Sequence, residues 1–119
     1  MAQDGPWIVV VDDDPGVRDS MAFLLETAGY SVESFGSPAQ CLASLQPSMV
    51  ACLVIDQNMP KMTGLELVTE LHSQGVFLPT LLTTGSLSPE LLQKATALGV
   101  QAIPKPLAED QLLDFVASV

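Results

Sequence analysis

The chain has 119 residues, 48% of them hydrophobic and only 15% charged, which is enough for one domain around one core and excludes a disordered segment. Its formal net charge of −10 comes with just four cationic side chains, Arg18, Lys61, Lys94 and Lys105. This argues against nucleic acid or an anionic membrane as a direct partner, and is compatible with a bound cation.

Apolar runs all fall short of the roughly 20 residues of a membrane span. The leading MAQDGPW has neither the basic nor the apolar region of a signal peptide. The expectation is one domain over 1–119, in the cytoplasm, with Cys41 and Cys52 as free thiols.

Ile8–Val11 is an unbroken β-branched run and predicts a strand buried on both faces. Asp12, Asp13 and Asp14 follow at once. Val17, Met21, Leu24, Leu25 and Ala28 share one helical face, ended by Gly29 as C′ residue. Arg18 lies off that face and reads as solvated. Ser31–Phe35 alternates as a second strand, and Ser37–Pro38 starts a helix carrying Cys41, Leu42 and Leu45 that stops near Pro47. Val50–Ile55 is a third strand, nearly all apolar. Thr63 and Glu66 fit a capping box, with Leu65, Val68 and Leu71 facing the core. A fourth strand lies within Leu78–Thr83. Ser88–Pro89 opens a helix with Leu91, Leu92, Ala95 and Leu98 inward and Gly99 as terminator. Gln101–Ile103 is a short fifth strand, and Leu112, Leu113 and Val116 mark a last helix.

Strands that alternate with helices across short connections predict a parallel sheet covered on both faces. For five strands the expected fold is flavodoxin-like and doubly wound, order 2-1-3-4-5. Ligands then bind outside the carboxyl ends of the strands, near the switch point. Asp12 and Asp13 follow strand one, Asp56 follows strand three, Thr84 strand four and Lys105 strand five. Strands one and three are neighbours in this order, so their acids share a pocket. Carboxylates crowded together repel, and Mg²⁺, which takes one or two of them and completes its shell with water and phosphate oxygens, resolves that repulsion. Aspartate also serves as nucleophile in aspartyl-phosphate chemistry, where Lys105 and a Thr84 hydroxyl would face the phosphoryl oxygens. Thr83 and Thr84 remain interchangeable by one register. Asp14 precedes Pro15, the pairing of an N-cap with proline at the first helical position, so capping outweighs metal binding for it. His72 reads as exposed, without a nucleophile to pair with, and Met59 and Met62 as packing residues.

VVDDDP, LVIDQNMPKMTG, LLTTGS and the Lys-Pro of AIPKPL fall in order and spacing where four receiver motifs belong. The chain therefore resembles the receiver domains of two-component response regulators over nearly its whole length. DDDPGVRDSMAFLLETAGYSVESF and MPKMTGLELV look most like receivers that precede LuxR-type DNA-binding output domains. The resemblance implies that Asp56 is the phosphoacceptor for a sensor histidine kinase. It implies that Asp13 ligates Mg²⁺ directly, that Asp12 assists through water, and that the backbone carbonyl of Asn58 is a further metal ligand. Thr84 would bond the phosphoryl group and shift on activation, and Lys105 would pair with it. The Lys105–Pro106 peptide would be cis. Output would run through the surface of the fourth helix, fifth strand and fifth helix, with a phosphorylation-dependent homodimer and a C-terminal output domain as further partners.

The chain departs from the pattern at one informative place. Such receivers carry Tyr or Phe three residues before the lysine; here it is Ala102, the stretch from Gly99 to Lys105 looks one residue short, and Leu107 stands where Phe is common. Two readings compete with a phosphorylated switch. One is a constitutive docking module whose switch has decayed, which Ala102 motivates. The other is a small Mg²⁺-dependent phosphatase, disfavoured because 119 residues leave no substrate-recognition element.

Overall fold

The β-branched run after Pro6 becomes a strand, β1 (Trp7–Val11), in which Ile8 to Val11 are all buried. In the computed structural model, which describes residues 6–119, β1 leads into α1 (Pro15–Thr27), β2 (Ser31–Phe35), α2 (Pro38–Ser44) and β3 (Val50–Asp56). Then follow α3 (Gly64–Ser73), β4 (Thr80–Thr84), α4 (Pro89–Ala97), β5 (Gln101–Pro104) and α5 (Glu109–Ala117). The reading of Met1–Gly5 as free of a leader lies outside the described residues.

All five strands are parallel, in the order β2-β1-β3-β4-β5, as the alternation of elements predicts. Successive side chains leave a strand on opposite faces, so each central strand feeds two cores. Val9, Val11, Leu53, Ile55 and Leu82 pack with Cys41 of α2, Leu67, Val68 and Leu71 of α3, and Ala95 of α4. Ile8, Val10, Cys52, Val54 and Leu81 pack on the other face with Leu25 of α1 and Leu112, Phe115 and Val116 of α5. Each buried Val, Leu or Ile contributes about 2 kcal/mol, which makes the β1–β3–β4 strip the rigid floor of the molecule.

The helices start where the sequence marks them. Asp14 accepts from the N–H groups of Gly16 at 2.8 Å and Val17 at 3.4 Å, so it caps α1. Ser37 and Ser88 cap α2 and α4 in the same way. The Thr63–Glu66 capping box closes with bonds of 2.8 and 3.2 Å. Gly29 and Gly99 end α1 and α4 with φ of 101° and 75°, a region that costs a glycine nothing.

β4 starts within the expected Leu78–Thr83 but runs one residue further, over Thr80–Thr84; Pro79 has no N–H to give and joins the sheet only by its carbonyl, accepting from Leu53 N at 2.9 Å. Three expectations are corrected. Leu92 is not inward but 46% exposed, because α4 meets the sheet along the narrow stripe Leu91, Ala95 and Leu98. Ala28 is exposed, since it is the C-cap of α1 and lies past the last buried turn. His72 is not free in solvent but half-buried, stacked on Phe77 with ring centroids 4.6 Å apart.

Candidate functional site

β1 and β3 run side by side, and at the same edge Asp12 follows the last residue of β1 while Asp56 is the last of β3. Asp12, Asp13 and Asp56 each present an oxygen such that all three lie within 4.8 Å of one another, close enough to hold one cation. Their surroundings differ. Asp13 is exposed, whereas Asp12 and Asp56 are 2% and 3% accessible. Asp12 Oδ1 accepts from the N–H of Asp14 at 2.9 Å. Its Oδ2 is buried with no hydrogen bond; the nearest cation, Lys105 Nζ, stands at 3.8 Å, within ion-pair range only. Asp56 Oδ1 accepts from the N–H of Asn58 at 3.2 Å and lies 3.0 Å from Lys105 Nζ.

Electrostatics follow from this geometry. Burial pushes the Asp12 carboxyl above its ordinary value; the Asp14 N–H bond and Lys105 oppose that, and the Asp56 and Asp13 charges reinforce it. For Lys105, burial alone would favour the neutral amine, but the bond to Asp56 and the charges of Asp56, Asp12 and Asp13 outweigh it and raise its pKa. Three acids and one lysine leave a net negative pocket. An orphaned buried carboxylate oxygen in such a pocket fits a hard divalent cation, which prefers oxygen ligands and tolerates water in the rest of its shell.

The other half of the site comes from β4 and β5. Gln57 N donates to Thr83 O at 2.7 Å and Lys105 N to Thr84 O at 2.7 Å, so the tips of β3, β4 and β5 are tied in sequence. The Thr84 hydroxyl, 1% accessible, lies 3.3 Å from Asn58 Oδ1 and accepts from Ser86 N at 3.2 Å. Gly85 N also donates to Asn58 Oδ1, at 3.2 Å. Thr83 is equally buried, but its hydroxyl has no partner; with Val17, Met21, Lys105 and Leu107 it lines a cavity of about 620 Å³. The Lys105–Pro106 peptide is cis.

The sequence matches the family described as the response regulator receiver domain over residues 8–117. The chain is a response regulator receiver domain.

The transcriptional regulatory protein FixJ of Bradyrhizobium diazoefficiens is 36% identical over 112 residues, 93% of this chain and 55% of that protein. FixJ of Azorhizobium caulinodans is 40% identical over 108 residues, 90% of this chain and 51% of that protein. The receiver thus spans about half the length of the curated relatives it matches. Among solved structures, the chemotaxis protein CheY4 of Vibrio cholerae superposes with a TM-score of 0.85 at 33% identity, covering 95% of this chain and 97% of that one. No helix among the described residues is long and apolar enough to cross a membrane.

Each residue singled out in the sequence sits at this edge of the receiver: Asp12, Asp13, Asp56, Asn58, Thr84 and Lys105. Two contributions escaped sequence reasoning. The Asn58 side chain, expected to flank the pocket and to offer its carbonyl to a metal, also bridges the β3–α3 loop to Thr84 and Gly85, a link that was not foreseen. Arg18, expected in solvent, reaches back to the Asp12 carbonyl at 2.7 Å. A separation of six residues from Asp12 carries no signal for such a contact. Cys41 and Cys52 are free and buried, and burial pushes their thiols up to about 12 and about 11, which leaves them inert.

Proposed function

We propose that this receiver is a phosphorylation switch in which Asp56 takes a phosphoryl group from a phosphohistidine of a sensor histidine kinase. A carboxylate oxygen of Asp56 forms the new bond to phosphorus, the phosphorus–nitrogen bond breaks, and the imidazole nitrogen leaves with the electron pair. The reading is carried by the convergence of three acids within 4.8 Å around an orphaned Asp12 oxygen, with Lys105 at 3.0 Å from Asp56. Asp12, Asp13, Asp56 and the Asn58 carbonyl are the groups that would hold Mg²⁺. When bound, the cation supplies the positive charge that lets an anionic carboxylate meet an anionic phosphoryl group.

The chain's own residues do the rest. Lys105 sits on Asp56 in the resting state and is free to turn to a phosphoryl oxygen, because its ammonium is borne on a flexible stem. Thr84 exchanges its bond with Asn58 for one with the phosphoryl group, drawing the β4–α4 loop inward. Hydrolysis of the aspartyl phosphate is slow and resets the switch without turnover of free substrates. The changed surface spans α4, β5 and α5. The FixJ relatives are described as transcriptional regulators and are about twice as long as this chain, which supports a DNA-binding output domain as partner.

Incubation with acetyl phosphate and Mg²⁺, followed by intact mass measurement, tests the proposal. The expected result is a single phosphoryl adduct that disappears in EDTA and in Asp56→Asn. An adduct that survives Asp56→Asn, or no adduct on the wild type, would falsify it.

A further inference from the structure

We propose that Arg18 is a positioning residue for the acidic pocket: its guanidinium clamps the Asp12 carbonyl and so holds the Asp12 carboxylate with Oδ2 free for the cation. The inference rests on the phosphoacceptor reading, but Arg18 itself touches none of the reacting atoms.

Arg18 lies in α1, and its Nη1 donates to Asp12 O at 2.7 Å, a short charge-assisted bond. The same guanidinium lies over Gly36, where an added Cβ would stand 3.0 Å from Nη1 and 3.3 Å from Cζ. Gly36 follows Phe35, the last residue of β2, whose carbonyl accepts from Asp12 N at 3.2 Å. The backbone of Asp12 is therefore fixed at both polar groups, the N–H by β2 and the C=O by Arg18. Its Oδ1 is taken by Asp14 N at 2.9 Å. Every hydrogen-bonding atom of Asp12 is satisfied except the buried Oδ2. Such an arrangement preorganises one ligand atom and frees no other.

Simple electrostatics gives the opposite sign, which makes the clamp testable. Arg18 is a cation beside a cluster that takes a divalent cation, so deleting its charge should tighten divalent binding. A clamp restricts Asp12, so losing it should weaken binding, as loss of a group that orients a metal ligand does.

The experiment measures Mg²⁺ affinity of the unphosphorylated chain by calorimetry, alongside thermal unfolding in EDTA and phosphorylation rate by acetyl phosphate against Mg²⁺ concentration. Arg18→Met keeps the apolar stem and removes the donors; Gly36→Ala crowds the guanidinium from the other side. The expected result is Mg²⁺ binding about tenfold weaker in Arg18→Met, with the rate at saturating Mg²⁺ within about twofold of wild type. Arg18→Lys recovers part of the loss. Gly36→Ala weakens Mg²⁺ binding in the wild-type background and does nothing further in Arg18→Met. Unchanged or tighter Mg²⁺ binding in Arg18→Met overturns the clamp, as does a Gly36→Ala effect that persists without Arg18. If Arg18→Met fails to fold, Gly36→Ala and Arg18→Lys carry the same test. A wild-type chain that binds no Mg²⁺ overturns instead the phosphoacceptor reading beneath it.

Discussion

β1 and β5 are each followed directly by a charged pocket residue, yet they are built in contrasting ways. β1 is central, with Ile8 through Val11 sealed between two helical layers, and Asp12 is fixed within the first residue past its end. β5 is an edge strand, exposed at Gln101 and Pro104 and only half-buried between, and Lys105 reaches the pocket on a long side chain one third exposed. The acids are carried at the end of sealed interior strands, and the counter-cation at the end of a half-exposed edge strand. A site whose anions must keep their spacing while its cation changes partner gains from that division.

The same substitution on each strand puts the contrast to the test. Ile8 and Ile103 pack into one apolar cluster, the first 1% accessible and the second only partly buried. Ile8→Ala should cost about 4 kcal/mol and Ile103→Ala about 2, read by denaturant unfolding. Equal costs would mean that β5 is as rigid a support as β1. A smaller effect is expected where α3 meets the tip of β3. A Cβ on Gly64 would fall 2.6 Å from Leu82 Cδ1 and 2.8 Å from the Asp56 carbonyl oxygen, so backbone must yield. Gly64→Ala should cost about 2 kcal/mol and slow phosphorylation by displacing Asp56, whereas an alanine at the exposed Gly85 should leave stability within about 0.5 kcal/mol.

The contrast also explains what the sequence made legible. Fully buried parallel strands are written as unbroken apolar runs, so β1 and β3 could be read directly; the order expected for five alternating strands then brought Asp12, Asp13 and Asp56 together. Local caps were legible for the same reason: Asp14, Ser37, Thr63 and Ser88 act on backbone a few residues away. Contacts made by long or bridging side chains were not. Arg18 points away from the apolar face of α1 by periodicity, but its stem is long enough to return to the loop before it. Asn58 joins residues 26 and 27 positions away, which no local pattern encodes. Leu92 was misplaced because a nine-residue helix at a sheet edge buries only one narrow stripe.

Asp12 should reveal the cost of fixing an acid in the central part of the sheet. Its carboxyl is pushed up in the folded chain, first by burial and then by the neighbouring acids, so the folded state holds the proton more tightly than the unfolded state does. Stability then falls as pH rises from below the ordinary value of 3.8 through the folded value, and the penalty is complete above that folded value. In EDTA at pH 7, Asp12→Asn should melt a few degrees above wild type; added Mg²⁺ should reverse the order, because only the wild type binds it well. A variant that melts lower in EDTA would mean that the Asp12 charge is stabilised by Lys105 more than burial disfavours it.

Lys105 should show the smallest effect, at the opposite end of the pH scale. Its raised pKa means that the folded chain holds the ammonium proton more tightly than the unfolded chain, through the bond to Asp56 and the charges of Asp56, Asp12 and Asp13. That contribution is fully present below the ordinary value of 10.5 and is lost as pH rises through the raised folded value. Because a third of the side chain faces water, the change is modest, and salt should screen part of it. Unfolding followed above pH 10.5 should show a shallower decline in Lys105→Met than in wild type. At pH 7 the same variant should be less stable than wild type in EDTA, since the Asp12 and Asp56 carboxylates then share a buried edge with no cation paired to their oxygens, and Mg²⁺ should close most of that gap. If Mg²⁺ stabilises the variant no more than wild type, Lys105 and the divalent cation do not balance the same charge, and the edge strand holds something other than the movable half of the site.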